Sequence, residues 1–140
     1  MEKWIIYALI SMVFAGLTSV IAKVGLKEIS GDLGVAIRTG VVFLFVMLNA
    51  FIFSKMNELQ LMTRRSLLFL VISGLTTSLS WIFYYKAIKM GPVSYVASID
   101  KASIVITLVL SFVFLKEPFT PKIGIGAALI LAGMFVLIYK

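Results

Sequence analysis

Long apolar stretches separated by short polar clusters set the pattern of this chain. Five runs stand out: Trp4–Ala22, Leu33–Phe53, Ser66–Tyr85, Pro92–Leu115 and Ile123–Tyr139. Each falls near the ~17–25 residues that an α-helix needs to cross a hydrocarbon layer of ~30 Å. The runs are continuous rather than alternating, which excludes the strands of a membrane β-barrel. The predicted fold is an all-α integral membrane protein, a bundle of five transmembrane helices forming one domain over residues 1–140. The first run follows Lys3 and carries small residues near Ala15 and Gly16, as a secretory signal does. It is long for one, and four further spans follow, so it reads as a retained helix.

The polar punctuation agrees with this division. Gly91-Pro92 breaks the chain before the fourth run, with Pro92 placed to open a helix. Thr120-Pro121 repeats the device before the fifth, with Thr120 as N-cap and Pro121 at the first helical position. The longest connector, Ser54–Arg65, reads SKMNELQLMTRR. A solvated loop is its simpler reading, and a short interfacial helix the other.

Composition narrows the function. Of 140 residues, 61% are hydrophobic and 14% charged, and the mean hydropathy is +1.11. A soluble domain sits near ~45–50% apolar and ~25% charged. The absence of Cys and His removes disulfide frameworks, thiol nucleophiles, the usual zinc and haem ligands and every His-based triad. Asp100 is the only acid within the apolar runs, so one chain cannot assemble an acid–base pair there. An enzyme is not expected, nor a metal or cofactor. The net charge of +7 lies mostly between the runs, where cationic flanks meet lipid headgroups; no nucleic-acid partner is implied.

An odd number of spans puts the termini on opposite faces. Lys3, Lys55, Arg64, Arg65, Lys116 and Lys122 fall on the N-terminal face; Lys23, Lys27, Lys86, Lys89 and Lys140 fall on the other. That difference is too small to fix orientation by the positive-inside rule. Either the N-terminus lies weakly inside, or copies insert both ways and pair antiparallel. Fusing an odd-span unit to its duplicate generates the inverted repeats of many secondary transporters, and a single unit reaches the same symmetry by dimerising.

Three charged residues lie inside the runs: Arg38, Asp100 and Lys101. Each costs roughly 2.5–3.5 kcal/mol on the insertion scale. Arg38 and Asp100 enter from the same face, to a depth of roughly 8–12 Å. A structural salt bridge between two helices is one reading, and a polar site lining a cavity the other. Lys101 gives the region two cations for one acid, which suits an anionic or zwitterionic group. Along the third run, Ser73, Thr76, Thr77, Ser80, Trp81 and Tyr84 share one helical face, either as a pocket wall or as hydroxyls bonded to nearby carbonyls and aromatic interface anchors. Trp81 is the aromatic expected to face inward. Gly124, Ala128 and Ala132 form a small-residue stripe for helix packing, within the protomer or between protomers. Asn49 reads as interhelical glue.

From Tyr84 onward the chain resembles a known family. Tyr84–Thr107 reads YYKAIKMGPVSYVASIDKASIVIT, followed by FVFLKEPFT and GIGAALILAGMFVLIY. This is similar to the second half of one repeat of the EamA-type transporters, in the drug/metabolite transporter superfamily. The matching elements are the Gly91-Pro92 turn, the Leu115-Lys116-Glu117-Pro118 link, and Gly124, Gly126 and Gly133 in the last helix. Ile99-Asp100-Lys101, the AKVGL of Ala22–Leu26 and the Arg38-Thr39 step resemble the single-repeat subgroup. The resemblance implies a secondary carrier of small metabolites or drug-like molecules. Most relatives hold two repeats in one chain, so a single repeat implies a homodimer or a second subunit. The four-helix multidrug relatives couple protons through a Glu in their first helix, and no acid occupies the first run here. The competing reading is a non-transporting subunit that completes a larger membrane complex.

Overall fold

The computed structural model describes residues 2–53 and 61–139. Every regular element among them is helical: α1 (Lys3–Gly25), α2 (Gly31–Phe53), α3 (Arg64–Met90), α4 (Val93–Lys101), α5 (Ser103–Leu110), a π turn (Ser111–Leu115) and α6 (Pro121–Ile138). Five stretches are long and apolar enough to cross a membrane, with α4, α5 and the π turn together making the fourth. The chain divides into two compact units, Met1–Met90 and Gly91–Lys140.

In the first unit, short polar residues set the helix starts. Ser30 caps α2 by accepting from the Leu33 N–H at 3.2 Å, and Thr63 caps α3 by accepting from Ser66 at 3.1 Å. Because Thr63 supplies that cap, Arg64 and Arg65 open α3 rather than close the preceding connector; residues 54–60 lie outside the described residues. The other end of α3 also overruns its apolar pattern. It continues past Tyr85 to Met90, and Gly91-Pro92 is what ends it.

Contacts between α1 and α3 hold a nearly constant sequence offset, so the two helices run parallel. Ser19 and Tyr84 share a hydroxyl hydrogen bond of 2.8 Å. One turn further on, Lys23 Nζ donates to the Ile88 carbonyl at 2.6 Å and to that of Lys89 at 3.4 Å. Lys89 Nζ returns the interaction, donating to Leu26 at 2.5 Å and Lys27 at 2.9 Å. A helix leaves its last four carbonyls without intrahelical donors, and a cation there also meets the negative end of the dipole. Each helix thus caps its neighbour.

The helix α2 runs antiparallel to α3, with Asp32 pairing Lys86 at 3.1 Å at its start. Both groups are about half exposed or more, so this pair orients more than it stabilises. Closeness comes from Gly31: a Cβ there would stand 3.0 Å from the backbone at Tyr85 and Lys86. Leu26, Val35, Tyr85 and Ile88 are buried around this end.

In the second unit Pro92 stands at the N-cap of α4, one position before the helix. The fourth span was expected to be one helix and is interrupted. At Ala102 the N–H bonds to Ile99, and Val105 bonds back to Ala102, both at 3.0 Å and both spanning three residues instead of four. This is a 3₁₀ turn inside a span. Ser98 stays out of this break, giving its proton to the Ser94 carbonyl at 2.7 Å within α4. The span then ends in the π turn, and Lys116 takes the left-handed conformation at φ 55. Thr120 and Pro121 hold the expected cap and first-turn positions of α6, with the Thr120 side chain accepting from Ile123 at 3.4 Å.

Gly31→Val is expected to force α2 and α3 apart and to cost about 1–3 kcal/mol, the range of overpacking in a tight contact. Thermal unfolding in detergent should show a clearly lower midpoint. Gly40→Val is the control, because a Cβ at Gly40 meets nothing within 4 Å; equal losses in the two variants would contradict the close crossing.

Candidate functional site

The third span supplies the aromatic side of the site. Trp81 and Tyr85 are one turn apart on α3 and face Arg38, which lies about two turns into the antiparallel α2. The guanidinium carbon sits 4.1 Å from the Trp81 ring centroid and 5.8 Å from that of Tyr85. Such stacking is worth about 0.5–2 kcal/mol, more as water is excluded. The rings meet the charge of the guanidinium but give its N–H groups no acceptor. Arg38 Nη1 is buried and has no hydrogen-bond partner. A cavity of about 370 Å³ adjoins it, lined by Arg38, Tyr85, Thr18, Ala22 and Leu26 among others.

The hydroxyl stripe behaves differently. Thr76 and Thr77 both donate to the Ser73 carbonyl, at 2.9 and 2.8 Å, and Ser78 donates to Gly74 at 2.8 Å. Ser73, Thr77 and Ser80 are exposed in this chain and lie nearer the N-terminal end of α3 than Trp81. Tyr84, placed by its sequence on the stripe, turns to Ser19 of α1. Tyr85 takes the place beside Arg38. Its signal was the four-residue spacing from Trp81, which keeps two side chains on one helix face.

The other charged pair belongs to the second unit. Asp100 and Lys101 are adjacent in sequence, and their side chains meet at 3.5 Å. They end α4 at the 3₁₀ turn, so the acid inside the spans coincides with the place where the helix is interrupted. Gly124 lies against Phe119, whose Cζ would be 2.9 Å from an added Cβ. Phe119 in turn meets Phe112 edge to face, with centroids 5.9 Å apart. Ala128 and Ala132 are exposed, whereas Ala127, Leu131 and Met134 are partly covered. The small-residue stripe is therefore divided between a local contact and an open helix face.

Five helical stretches long and apolar enough to cross a bilayer mark a polytopic membrane protein. The EamA-like transporter family model matches residues 2–139, across both units. The chain belongs to the EamA-like transporter family. A curated relative from Sinorhizobium sp, described as "Uncharacterized transporter in cobO 3'region", is 36% identical over 136 residues. The match covers 97% of this chain and 96% of that protein. No solved structure matches the chain. This EamA-family protein is thus a multi-pass membrane transporter, similar along its length to another transporter of the same size class.

The two hydroxyls between α1 and α3 separate structural from ligand-facing roles. Tyr84→Phe and Ser19→Ala should each destabilise the protein by about 0.6 kcal/mol, the usual size of an interhelical hydrogen bond in a membrane. Combining them should add little further loss in unfolding measurements. Fully additive losses would mean that the two hydroxyls do not act on each other.

Proposed function

We propose that the protein is a secondary transporter of small metabolites or drug-like molecules in the cytoplasmic membrane, working as a homodimer by alternating access. The observation that carries this reading is Arg38, a partly covered cation that lines a cavity, lies against Trp81 and has no partner for its buried Nη1. Structural charges in a membrane are normally paired, because the unpaired form is costly. A charge left open beside a cavity fits a group that completes its contacts with a ligand.

Asp100 and Lys101 take the second role in this reading. Interrupted helices at polar residues recur where carriers bind and release. The 3₁₀ turn at Ala102 gives the fourth span a point at which its halves can reorient, and Asp100 is the acid best placed to take up a coupling proton. Lys101 balances its charge or meets the substrate. Ser73, Thr77, Ser80, Trp81 and Tyr84 do not line the cavity beside Arg38; they stay candidates for substrate contacts elsewhere along α3.

The dimer is proposed on two grounds. Five helices of ~10–12 Å diameter enclose little space alone, and α6 leaves Ala128 and Ala132 uncovered within its unit. The near balance of cationic residues on the two faces allows an antiparallel pair. Catalysis has no place in this reading.

Purified protein in liposomes tests the proposal directly. Flux of a metabolite by this chain alone is the expected result; strict dependence on another subunit would make it a partner instead. The double variant Arg38→Met with Asp100→Leu should fold and insert but lose transport, and Lys101→Gln should reduce flux at least several-fold. Full transport by the charge-free double variant would reduce both residues to packing. Ala128→Leu should weaken dimerisation in crosslinking or light-scattering measurements, by holding two helix backbones apart. An unchanged dimer would place that face against lipid.

A further inference from the structure

We infer that the cavity beside Arg38 receives the oxyanion of a small organic acid with an apolar body, so that the transported species is an anion. This rests on the transporter reading and names its substrate class.

The geometry of the guanidinium comes first. Trp81 and Tyr85 lie over it, at 4.1 and 5.8 Å from the guanidinium carbon. Aromatic faces satisfy part of the charge but none of the in-plane donors. Nη1 has no acceptor and faces away from solvent, so it is the part-covered remainder of the guanidinium, where Arg38 lines the cavity, that meets an incoming group. A carboxylate or phosphate oxygen is the acceptor that fits such a donor, because it supplies both charge and in-plane lone pairs.

The local acids do not fill this need. Among the described residues, the ion pairs are Lys86 with Asp32 and Lys101 with Asp100. Within the first unit, Asp32 is thus engaged by a lysine at the start of α2, and Glu28 lies exposed between helices. The guanidinium keeps its capacity for an incoming anion.

The remaining walls define the body of that anion. Besides Arg38, the cavity is lined mainly by Ile21, Ala22, Ile29 and Ile37, with hydroxyls only on Thr18 and Tyr85. The Thr18 proton is already given to the Phe14 carbonyl at 2.8 Å. A sugar would bring several hydroxyls to aliphatic walls, where each unpaired polar group is costly. A polyphosphate would bring several charges to one cation. One negative group on a compact apolar frame matches both the single cation and a volume of about 370 Å³, within the usual range for small-molecule sites.

Trp81 itself reports on the site. The chain has two tryptophans, and Trp4→Phe leaves Trp81 as the only fluorophore of its kind. The full-length variant is placed in phosphatidylcholine vesicles and titrated with acetate, isovalerate and benzoate, and with the corresponding amides. A saturable change in Trp81 emission is expected with at least one of the two larger carboxylates and not with its amide. Arg38→Gln should weaken that response about tenfold or more, as loss of a charge-assisted hydrogen bond implies. Equal responses to acid and amide, or no response to any carboxylate, would overturn the inference. So would a change that appears only when phosphatidylglycerol replaces phosphatidylcholine, since the bound oxyanion would then be a lipid phosphate. The amide comparison uses unaltered Arg38, so it stands even if Arg38→Gln fails to fold. Flux of neutral or cationic solutes without a carboxylate response would sink the anion and leave the transporter. A carboxylate response with no flux of any solute would do the reverse.

Discussion

Hydrocarbon offers no hydrogen bonds, so each polar atom carried into a membrane span must find its partner within the protein or accept a penalty of several kcal/mol. Much of the first unit follows from that constraint. Thr39, Thr76, Thr77 and Ser78 return their protons to carbonyls of their own helices. Lys23 and Lys89 go further and satisfy the last carbonyls of each other's helices. This exchange ties the C-terminal ends of two parallel helices together and fixes their register, while keeping both ammonium groups near one end of the bundle. Each cap is worth of order 1 kcal/mol once exposure is allowed for. Their joint effect is geometric: with α1 and α3 registered, Gly31 lets α2 close against the Tyr85–Lys86 backbone, and Arg38 arrives over Trp81.

The sequence carries the spans and several of their ends plainly. Five apolar runs become five crossing stretches, and Thr120-Pro121 opens α6 because an oxygen acceptor followed by a preset φ has one obvious use. The ends of α3 were hidden. Arg64 and the segment Lys86–Met90 are too polar for an apolar window, yet a helix continues until its backbone is stopped, here by Gly91-Pro92. The interruption of the fourth span was hidden for the opposite reason. Apolar composition runs straight through it, and only the hydrogen-bond pattern at Ala102 reveals the break. At the candidate site, Arg38 and Trp81 were legible as polar and aromatic intruders in their runs. Tyr85 was overshadowed by Tyr84, although its four-residue spacing from Trp81 puts it on the same helix face. The partners of Lys23 were illegible, because backbone carbonyls leave no trace in a sequence.

Two features stand apart from this satisfied background. One is the open donor of Arg38; the other is the 3₁₀ turn beside Asp100 and Lys101. Both carry charge, and both sit well inside spans where charge is disfavoured. They differ in kind. Arg38 belongs to a crossing made rigid by a glycine contact and flanked by buried side chains. Asp100 belongs to a unit in which no described residue is classed as buried and whose fourth span begins as α-helix, passes through 3₁₀ and ends in a π turn.

That contrast bears on how a carrier divides its labour. A binding group must be held within a fraction of an ångström to recognise its ligand, whereas a gating segment must reach a second arrangement at little cost. In the proposed reading, reciprocal caps, a close glycine crossing and neighbouring aromatics supply the first property to Arg38. The same reading assigns the second to the fourth span, whose irregular hydrogen bonding at Ala102 already departs from an intact helix. Lys116 adds to this: a left-handed non-glycine residue costs roughly 1–2 kcal/mol, so the link after the π turn holds strain that a different arrangement could release. In a protein with so few charges inside its spans, one acid placed at such a break couples local charge to helix geometry. In the proposed carrier, Asp100 would serve coupling through this break, since only a difference in free energy between the two arrangements turns occupancy into motion.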